Sequence, residues 1–245
     1  MALVQINRKL CVGCATCIPY CPVEAFKKEA EERKVYVDEE VCTNCYVCIR
    51  NNVCPVGAIE ESNLDNFMKQ FQHVISDPTV TSEGTGVPGR GTEEAKTNDV
   101  TGRYGRGEFG ICIDMGRPGI GCRLRDAEKV AMAVAQAGVV LEGPETTPLA
   151  TLMTDIKTGK LVDEALDTNV LSVIIEGKCP KEKLPDVLMA LRRVEKEIET
   201  TFCLGIVSRA EQEEASFFFE TLEKLGIPKP FRGKVNVGLG RPLIP

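Results

Sequence analysis

Eight cysteines between residues 11 and 54 constrain this chain more than anything else in its 245 residues. They read CVGCATCIPYCP, with Cys11, Cys14, Cys17, Cys21 and Pro22, and CTNCYVCIRNNVCP, with Cys42, Cys45, Cys48, Cys54 and Pro55. The first run is C-x2-C-x2-C-x3-C-P without departure. A cubane iron–sulfur cluster needs four thiolates around a compact face. A C-x2-C-x2-C loop wraps three of them, and the fourth must come from farther away. Zinc ribbons use two C-x2-C knuckles, whereas each run here carries a third closely spaced cysteine and a Cys-Pro. Twelve cysteines in the whole chain are too dilute for a disulfide-stapled scaffold. The second run departs in one respect: residues Ile49 to Val53 stand between its last two cysteines, a longer and more polar loop that carries Arg50, Asn51 and Asn52.

On these motifs residues 1–61 resemble a bacterial-type ferredoxin carrying two [4Fe-4S] clusters. The two halves also echo one another, CPVEAF at 21–26 against CPVGAI at 54–59, as a pseudo-twofold fold would require. The resemblance implies crossed ligand sets, since in two-cluster proteins the fourth ligand comes from the other motif. One cluster would take Cys11, Cys14, Cys17 and Cys54; the other would take Cys42, Cys45, Cys48 and Cys21. Two [4Fe-4S] clusters are therefore the expected cofactors, and a reducing, anaerobic cytoplasm the expected setting.

Composition narrows the rest. A net charge of -6 argues against a general nucleic-acid binder, which would show a basic footprint. No run of about 18 apolar residues is present, so no membrane-spanning helix is expected. His73 is the single histidine, which removes His-rich zinc sites.

After residue 61, LDNFMKQFQHVI spaces Leu64, Phe67, Met68, Phe71 and Ile75 as a short amphipathic helix, packing on the first module or bridging to the next, with His73 in a packing or solvated role. A Gly- and Thr-rich stretch, 76–107, follows. It reads as a connector, or as an arm displaying Arg90, Lys96, Arg103 and Arg106 to an anion or a partner. Its G-x-G-x-x-G at 84–89 has no strand before it and no helix after it, so it is not a dinucleotide fingerprint.

From residue 107 the periods become regular. Strands are predicted at 108–115, 139–143, 170–177 and 201–209, with helices over 124–137 and on Leu184, Val187, Leu188, Leu191, Val194 and Ile198. Residues 144–169 read as an inserted helical hairpin opened by Pro148 and closed by Gly159. A further helix carrying Phe218 and Leu222 and a short strand at 234–238 end the chain. The order β-α-β-β-α-β is the split βαβ plan. The fold class is thus α+β: a bicluster ferredoxin domain (1–61), a helix and connector (62–106), and a ferredoxin-like antiparallel sheet domain (107–245).

The segment ICIDMGRPGIG and the helix after it resemble an ACT-type ligand-binding domain, which implies effector binding near that loop and association of two copies through this domain. Two departures stand out, the insertion at 144–169 and the displacement of the acidic residue to Asp114. The loop offers Gly116, Arg117, Gly119, Gly121 and Arg123 to an anion or small ligand, at a strand end and a helix start, with Arg125 nearby and Arg241 on a second Gly-Arg-Pro. The four cysteines outside the motifs, Cys112, Cys122, Cys179 and Cys203, read as packed small hydrophobes, with Cys122 the most accessible and reactive of them.

No hydride-handling loop, flavin loop or catalytic base is visible. The expected function is electron transfer, as the carrier subunit or dedicated donor of an oxidoreductase, with redox partner proteins and no turnover alone. A metabolite-sensing regulator, or a protein assisting substrate reduction or sulfuration, would use the same modules differently.

Overall fold

A computed structural model describes residues 4–61, 63–90, 103–116, 120–208 and 212–229. The first module is mostly loop. Strand β1 (Gln5–Ile6), β2 (Phe26–Lys28), β3 (Val35–Val37), the single-turn helix α1 (Val47–Arg50) and β4 (Ile59–Glu60) are its regular elements. β1 pairs antiparallel with β4, and β2 with β3. The strands are short because the two cysteine runs take most of the backbone. Val4, Ala25, Phe26, Val35 and Val53 form a small core beneath them.

Helix α2 (Phe67–Ser76) starts where the Asn66 side chain accepts a hydrogen bond from the Lys69 N–H at 2.9 Å, an N-cap that removes one orphan donor. Phe71 and Ile75 are buried on it, as the apolar spacing required, and they join the core of the second module. Residues 80–89 then fold back on themselves through a Thr81–Pro88 bridge, with the Gly89 N–H donating to the Val80 carbonyl at 2.8 Å. The Gly-x-Gly-x-x-Gly run is therefore a local turn.

The second module follows the predicted plan. β5 (Glu108–Met115) leads to β6 (Cys122–Arg123), α3 (Leu124–Gln136), β7 (Val140–Leu141), β8 (Met153–Asp155), β9 (Lys160–Leu161), β10 (Asn169–Val170), β11 (Val173–Pro180), α4 (Leu184–Val194), β12 (Phe202–Val207) and α5 (Gln212–Lys224). The main sheet has the order β12-β5-β11-β7, antiparallel at every pair. β5 alternates by period two: Phe109, Ile111, Ile113 and Met115 join the main apolar core, which α3 and α4 cover, and Gly110, Cys112 and Asp114 take the other face. On α3, Ala127, Val130, Ala131 and Val134 at i, i+3, i+4 and i+7 are all fully buried. Gly138, at φ 110°, ends the helix as the sequence indicated, and the Val139 N–H returns to the Val134 carbonyl at 3.0 Å. α5 adds Phe217 and Phe218 against Phe109, with ring centroids 6.3 and 6.2 Å apart.

Residues 144–169 correct the sequence reading. They contain no helical hairpin; Pro148–Leu152 and Asp163–Ala165 are 3-10 turns, and β8 and β9 pair as a β-hairpin between them. Gly159, at φ 74°, sits in the hairpin turn, where the Asp155 carbonyl accepts from the Thr158 and Gly159 N–H groups at 3.1 and 3.0 Å. The apolar spacing that suggested helices is met instead by Leu149, Leu152, Leu161 and Ala165 entering the core from short turns. The strand predicted at 170–177 is also split: Val170 pairs with Cys122, and β11 starts only at Val173. The strand predicted at 234–238 lies outside the described residues.

Candidate metal centre

Both cysteine runs use the same backbone device. Between Cys11 and Cys17, Gly13 and Ala15 are left-handed, at φ 71° and 62°; between Cys42 and Cys48 the corresponding Asn44 and Tyr46 take φ 56° and 54°. Such residues curl the chain around a centre and are strained for side chains other than glycine, so tertiary contacts must hold them. Gly13 cannot be replaced, because a Cβ there would stand 1.7 Å from the Arg33 carbonyl oxygen. The symmetry extends past the fourth cysteines. The Ala25 N–H donates to Cys21 Sγ and the Ala58 N–H to Cys54 Sγ, both at 3.2 Å. Hydrogen bonds to sulfur are one of the means by which a protein sets a cluster's potential.

The structure brings the fourth cysteine of each run to the other run. Cys54 joins Cys11, Cys14 and Cys17 around a partly open cavity, and Cys17 interacts electrostatically with all three of the others. Cys48 interacts likewise with Cys45, Cys42 and Cys21. Among the described residues no three His, Cys, Asp or Glu side chains converge as ligands of a single ion. Cys11, Cys14, Cys17 and Cys54 instead line one cavity, a donor set of the kind a four-iron cubane takes.

The two quartets differ in surroundings. Cys14 is exposed, and a hydrogen bond from the Thr16 hydroxyl at 3.4 Å lowers its thiol pKa. Cys17 is buried, and burial pushes its thiol up to about 11. In the other quartet Cys42, Cys45 and Cys48 are all buried; burial raises all three, Cys42 to about 11 and Cys48 to about 12. Thiolate is the ligand form, so loading this quartet must release protons that its surroundings hold tightly.

Helix α2 and the second module supply that burial. Gln72 Nε2 donates to the Cys42 carbonyl at 3.0 Å and to the Asn169 carbonyl. Asn169 Nδ2 donates to the Val41 carbonyl at 2.6 Å, so the loop entering the second motif is tied from both sides. His73 is buried, with Nδ1 2.9 Å from the Asn44 carbonyl and its ring 4.2 Å from that of Tyr46, and so takes a packing role. The longer second-motif loop also has a use: Arg50, on α1, donates to the Cys45 carbonyl at 2.6 Å and forms an ion pair with the buried Asp77 at the end of α2. The sequence analysis missed Gln72, Asp77 and Asn169. The one signal for them was a Gln-His pair beside the apolar stripe of a short helix.

Other expectations fare differently. Cys112, Cys122 and Cys179 are buried as expected, but Cys203 is exposed, so it and not Cys122 is the accessible one. Cys122 is buried, and burial drives its thiol to about 12; Cys203 is exposed on the edge strand β12. Cys122 was misread because its glycine-rich neighbours suggested an open loop, whereas pairing with Val170 draws it into the core. Of the proposed anion loop, Arg117 and Gly119 lie outside the described residues, as do Lys96 and Arg241. Gly116 and Gly121 are left-handed at φ 82° and 76°. Arg123 stands 3.8 Å from Glu40 and Arg125 pairs with Asp167. The Leu124 and Arg125 N–H groups at the helix start donate to the Thr168 and Leu166 carbonyls at 3.0 and 2.9 Å. Arg90 is not displayed to solvent: it pairs with Asp114 on the sheet, and Arg103 lies 3.5 Å from Glu142.

Eight cysteines at these spacings, curled backbone at matched steps and N–H···S bonds at matched positions define a dicluster iron–sulfur protein. A family profile described as a 4Fe-4S dicluster domain matches residues 10–58. The chain is 41% identical over 59 residues to an uncharacterized ferredoxin of Methanocaldococcus jannaschii, a match covering 23% of this chain and 90% of that one. It is 40% identical over 58 residues to a ferredoxin of Methanothermococcus thermolithotrophicus, covering 23% and 92%. It is 37% identical over 59 residues to the indolepyruvate oxidoreductase subunit IorA of Pyrococcus horikoshii, covering 24% of this chain and 9% of that protein. Through this module the chain belongs to the two-[4Fe-4S] ferredoxins, and it is an iron–sulfur electron carrier. No solved structure matches it significantly. Among the described residues no helix is long and apolar enough to cross a membrane.

Proposed function

We propose that this chain is the electron-carrying subunit, or the dedicated donor, of an oxidoreductase in an anaerobic cytoplasm. The observation that carries the reading is the unequal burial of the two quartets. Among the described residues, α2 and β10 hold the Cys42, Cys45 and Cys48 side through Gln72, His73 and Asn169, while Cys14 is exposed and Cys11 and Cys54 are half-buried. A free-standing carrier needs nothing beyond the first module, so the second module is there to hold it in an assembly. The likeness of the first module to part of an oxidoreductase subunit supports the same reading.

The ligand sets we propose are Cys11, Cys14, Cys17 and Cys54 for cluster 1, and Cys42, Cys45, Cys48 and Cys21 for cluster 2. When bound, the clusters supply one-electron storage at two stations. The residues of the chain position the thiolates, donate to two of the sulfurs through Ala25 and Ala58, and exclude water from cluster 2. Hydride transfer needs a two-electron relay such as a flavin, and the sequence shows no dinucleotide loop. The purified protein should therefore accept and donate electrons without turnover on nicotinamide cofactors.

Anaerobic affinity purification from the native host, with mass spectrometry and iron analysis, tests the reading. We expect about eight irons per chain and stoichiometric oxidoreductase subunits. Stoichiometric flavin in the isolated chain, NADH-driven reduction, or zinc without visible absorbance would overturn it.

A further inference from the structure

The surface around the Cys11–Cys54 cavity is open and uncharged. Val12 and Val56 line the cavity, and they are 68% and 42% exposed. Leu10, beside Cys11, is 47% exposed, and Tyr20, beside Cys21, is 55% exposed. Residues 10–23 contain no Asp, Glu, Lys, Arg or His, and neither do residues 51–59, in a chain that is 27% charged and carries a net charge of -6. Of the basic groups nearby, Arg8 is held by Glu29 and Glu32 and Lys34 Nζ donates to the Arg8 carbonyl at 2.6 Å, while Lys9 and Arg33 are exposed at the margin of the face.

Resting on the electron-carrier reading above, we propose that this face, with Leu10, Val12 and Val56 at its centre, is where the oxidoreductase partner docks, and that the partner meets it with an apolar, uncharged polypeptide surface. Cys42, Cys45 and Cys48 are buried and held by α2 and β10 of their own chain, whereas Cys14 is exposed, so electrons exchanged with another protein pass more readily through the Cys11–Cys54 side. A partner that placed a charge against Val12 or Val56 would bury it without a counter-ion, which is costly. Apolar cores depleted of charge are typical of stable subunit interfaces rather than of charge-steered encounters. A second copy of this chain is disfavoured as occupant, because a twofold contact over this face would seal both copies of cluster 1 from any acceptor.

The test uses the loaded, full-length protein. The reduced protein is mixed with hexacyanoferrate(III), an anion, and with hexaammineruthenium(III), a cation, from about 20 mM to about 500 mM salt, across which the Debye length falls severalfold. The reduced cluster is itself anionic, so the anion should react more slowly than the cation at low salt, and the two rates should converge as salt rises. Val12→Glu and, independently, Val56→Glu should slow the anionic acceptor by about fivefold at low salt and recover at high salt. Val140→Glu, 65% exposed on β7 of the second module and with the same change in net charge, should leave both rates unchanged. An equal effect of Val140→Glu, or no effect of Val12→Glu and Val56→Glu, overturns the proposal while leaving the carrier reading intact. In the native complex, the partner should stay bound in about 1 M salt and be lost with Val12→Glu. Release by salt, or a dimer in sedimentation that Val12→Glu dissociates, overturns it. Absence of reducible clusters would instead overturn the carrier reading itself.

Discussion

The half of the ferredoxin module that carries Cys11, Cys14 and Cys17 opens to solvent through Cys14 and Val12, whereas in the other half Cys42, Cys45 and Cys48 are all buried. The two halves share the C-x2-C-x2-C spacing, left-handed steps and N–H···S bonds, so these shared features do not explain the contrast. It comes from Gln72, His73 and Asn169, which lie outside the repeat and hold the second loop by its carbonyls at Val41, Cys42 and Asn44. The two extra residues in the second run serve the same end, since they extend the loop into α1 and carry Arg50 to Asp77. A symmetric pair of sites has been made unequal by what the remaining chain lays over one of them.

The largest expected effect breaks the pairing of the halves. Cys21→Ser should remove the cluster held by Cys42, Cys45 and Cys48, and Cys54→Ser the other, each lowering iron from about eight to about four per chain. Site-resolved electron paramagnetic resonance that found each variant harming its own run's cluster would overturn the crossed sets. Loading comes next. Reconstitution of the apo-protein near neutral pH should fill the Cys11–Cys54 site first, and the filling of the buried site should accelerate more steeply as pH rises. The sign follows from the buried thiols: Cys42 and Cys48 lie above a thiol's ordinary value, so they stay protonated at neutral pH and yield thiolate only as pH rises toward about 11 and about 12. Equal, pH-independent loading of the single-cluster variants would remove this distinction.

Weakening the cover should narrow the contrast. Gln72→Ala leaves the buried Cys42 carbonyl without its donor and should lower unfolding stability by about 1–3 kcal/mol. Iron chelators should then reach cluster 2 almost as fast as cluster 1; unchanged chelation kinetics would show that Gln72 does not seal the site. The smallest effect belongs to Thr16→Val, which removes the hydroxyl donor to Cys14 Sγ. It should lower the reduction potential of cluster 1 alone, because a hydrogen bond to a ligand sulfur favours the more negative reduced state. A spectroelectrochemical titration in which both potentials move, or neither, would contradict this.

Much of the second module was legible because its strands and helices obey a strict period. The 108–115 strand matches β5 residue for residue, and the 124–137 stripe matches α3 to within its last residue. The insertion was misread because Leu149, Leu152, Leu161 and Ala165 carry apolar spacing without a helix, and single-sequence periodicity cannot tell short turns that each bury one residue from a helix that buries a face. Cys122 was misread for a related reason. Exposure of a loop residue is set by what pairs with it from elsewhere in the chain, and Val170 is 48 residues away in sequence, at a distance no local pattern spans.

The sequence by itself determined the cofactor: eight cysteines at these spacings, with Cys-Pro after each run, permit two cubanes and little else, because thiolate count and loop length are local properties. It also determined the split βαβ order, since hydrophobic period is local too. Only the tertiary structure decided which site faces water and which is sealed. That choice rests on Gln72, His73 and Asn169 reaching backbone carbonyls roughly thirty to well over a hundred positions away in sequence. Hydrogen bonds to carbonyl groups leave no trace in the sequence of the acceptor, because every residue has one.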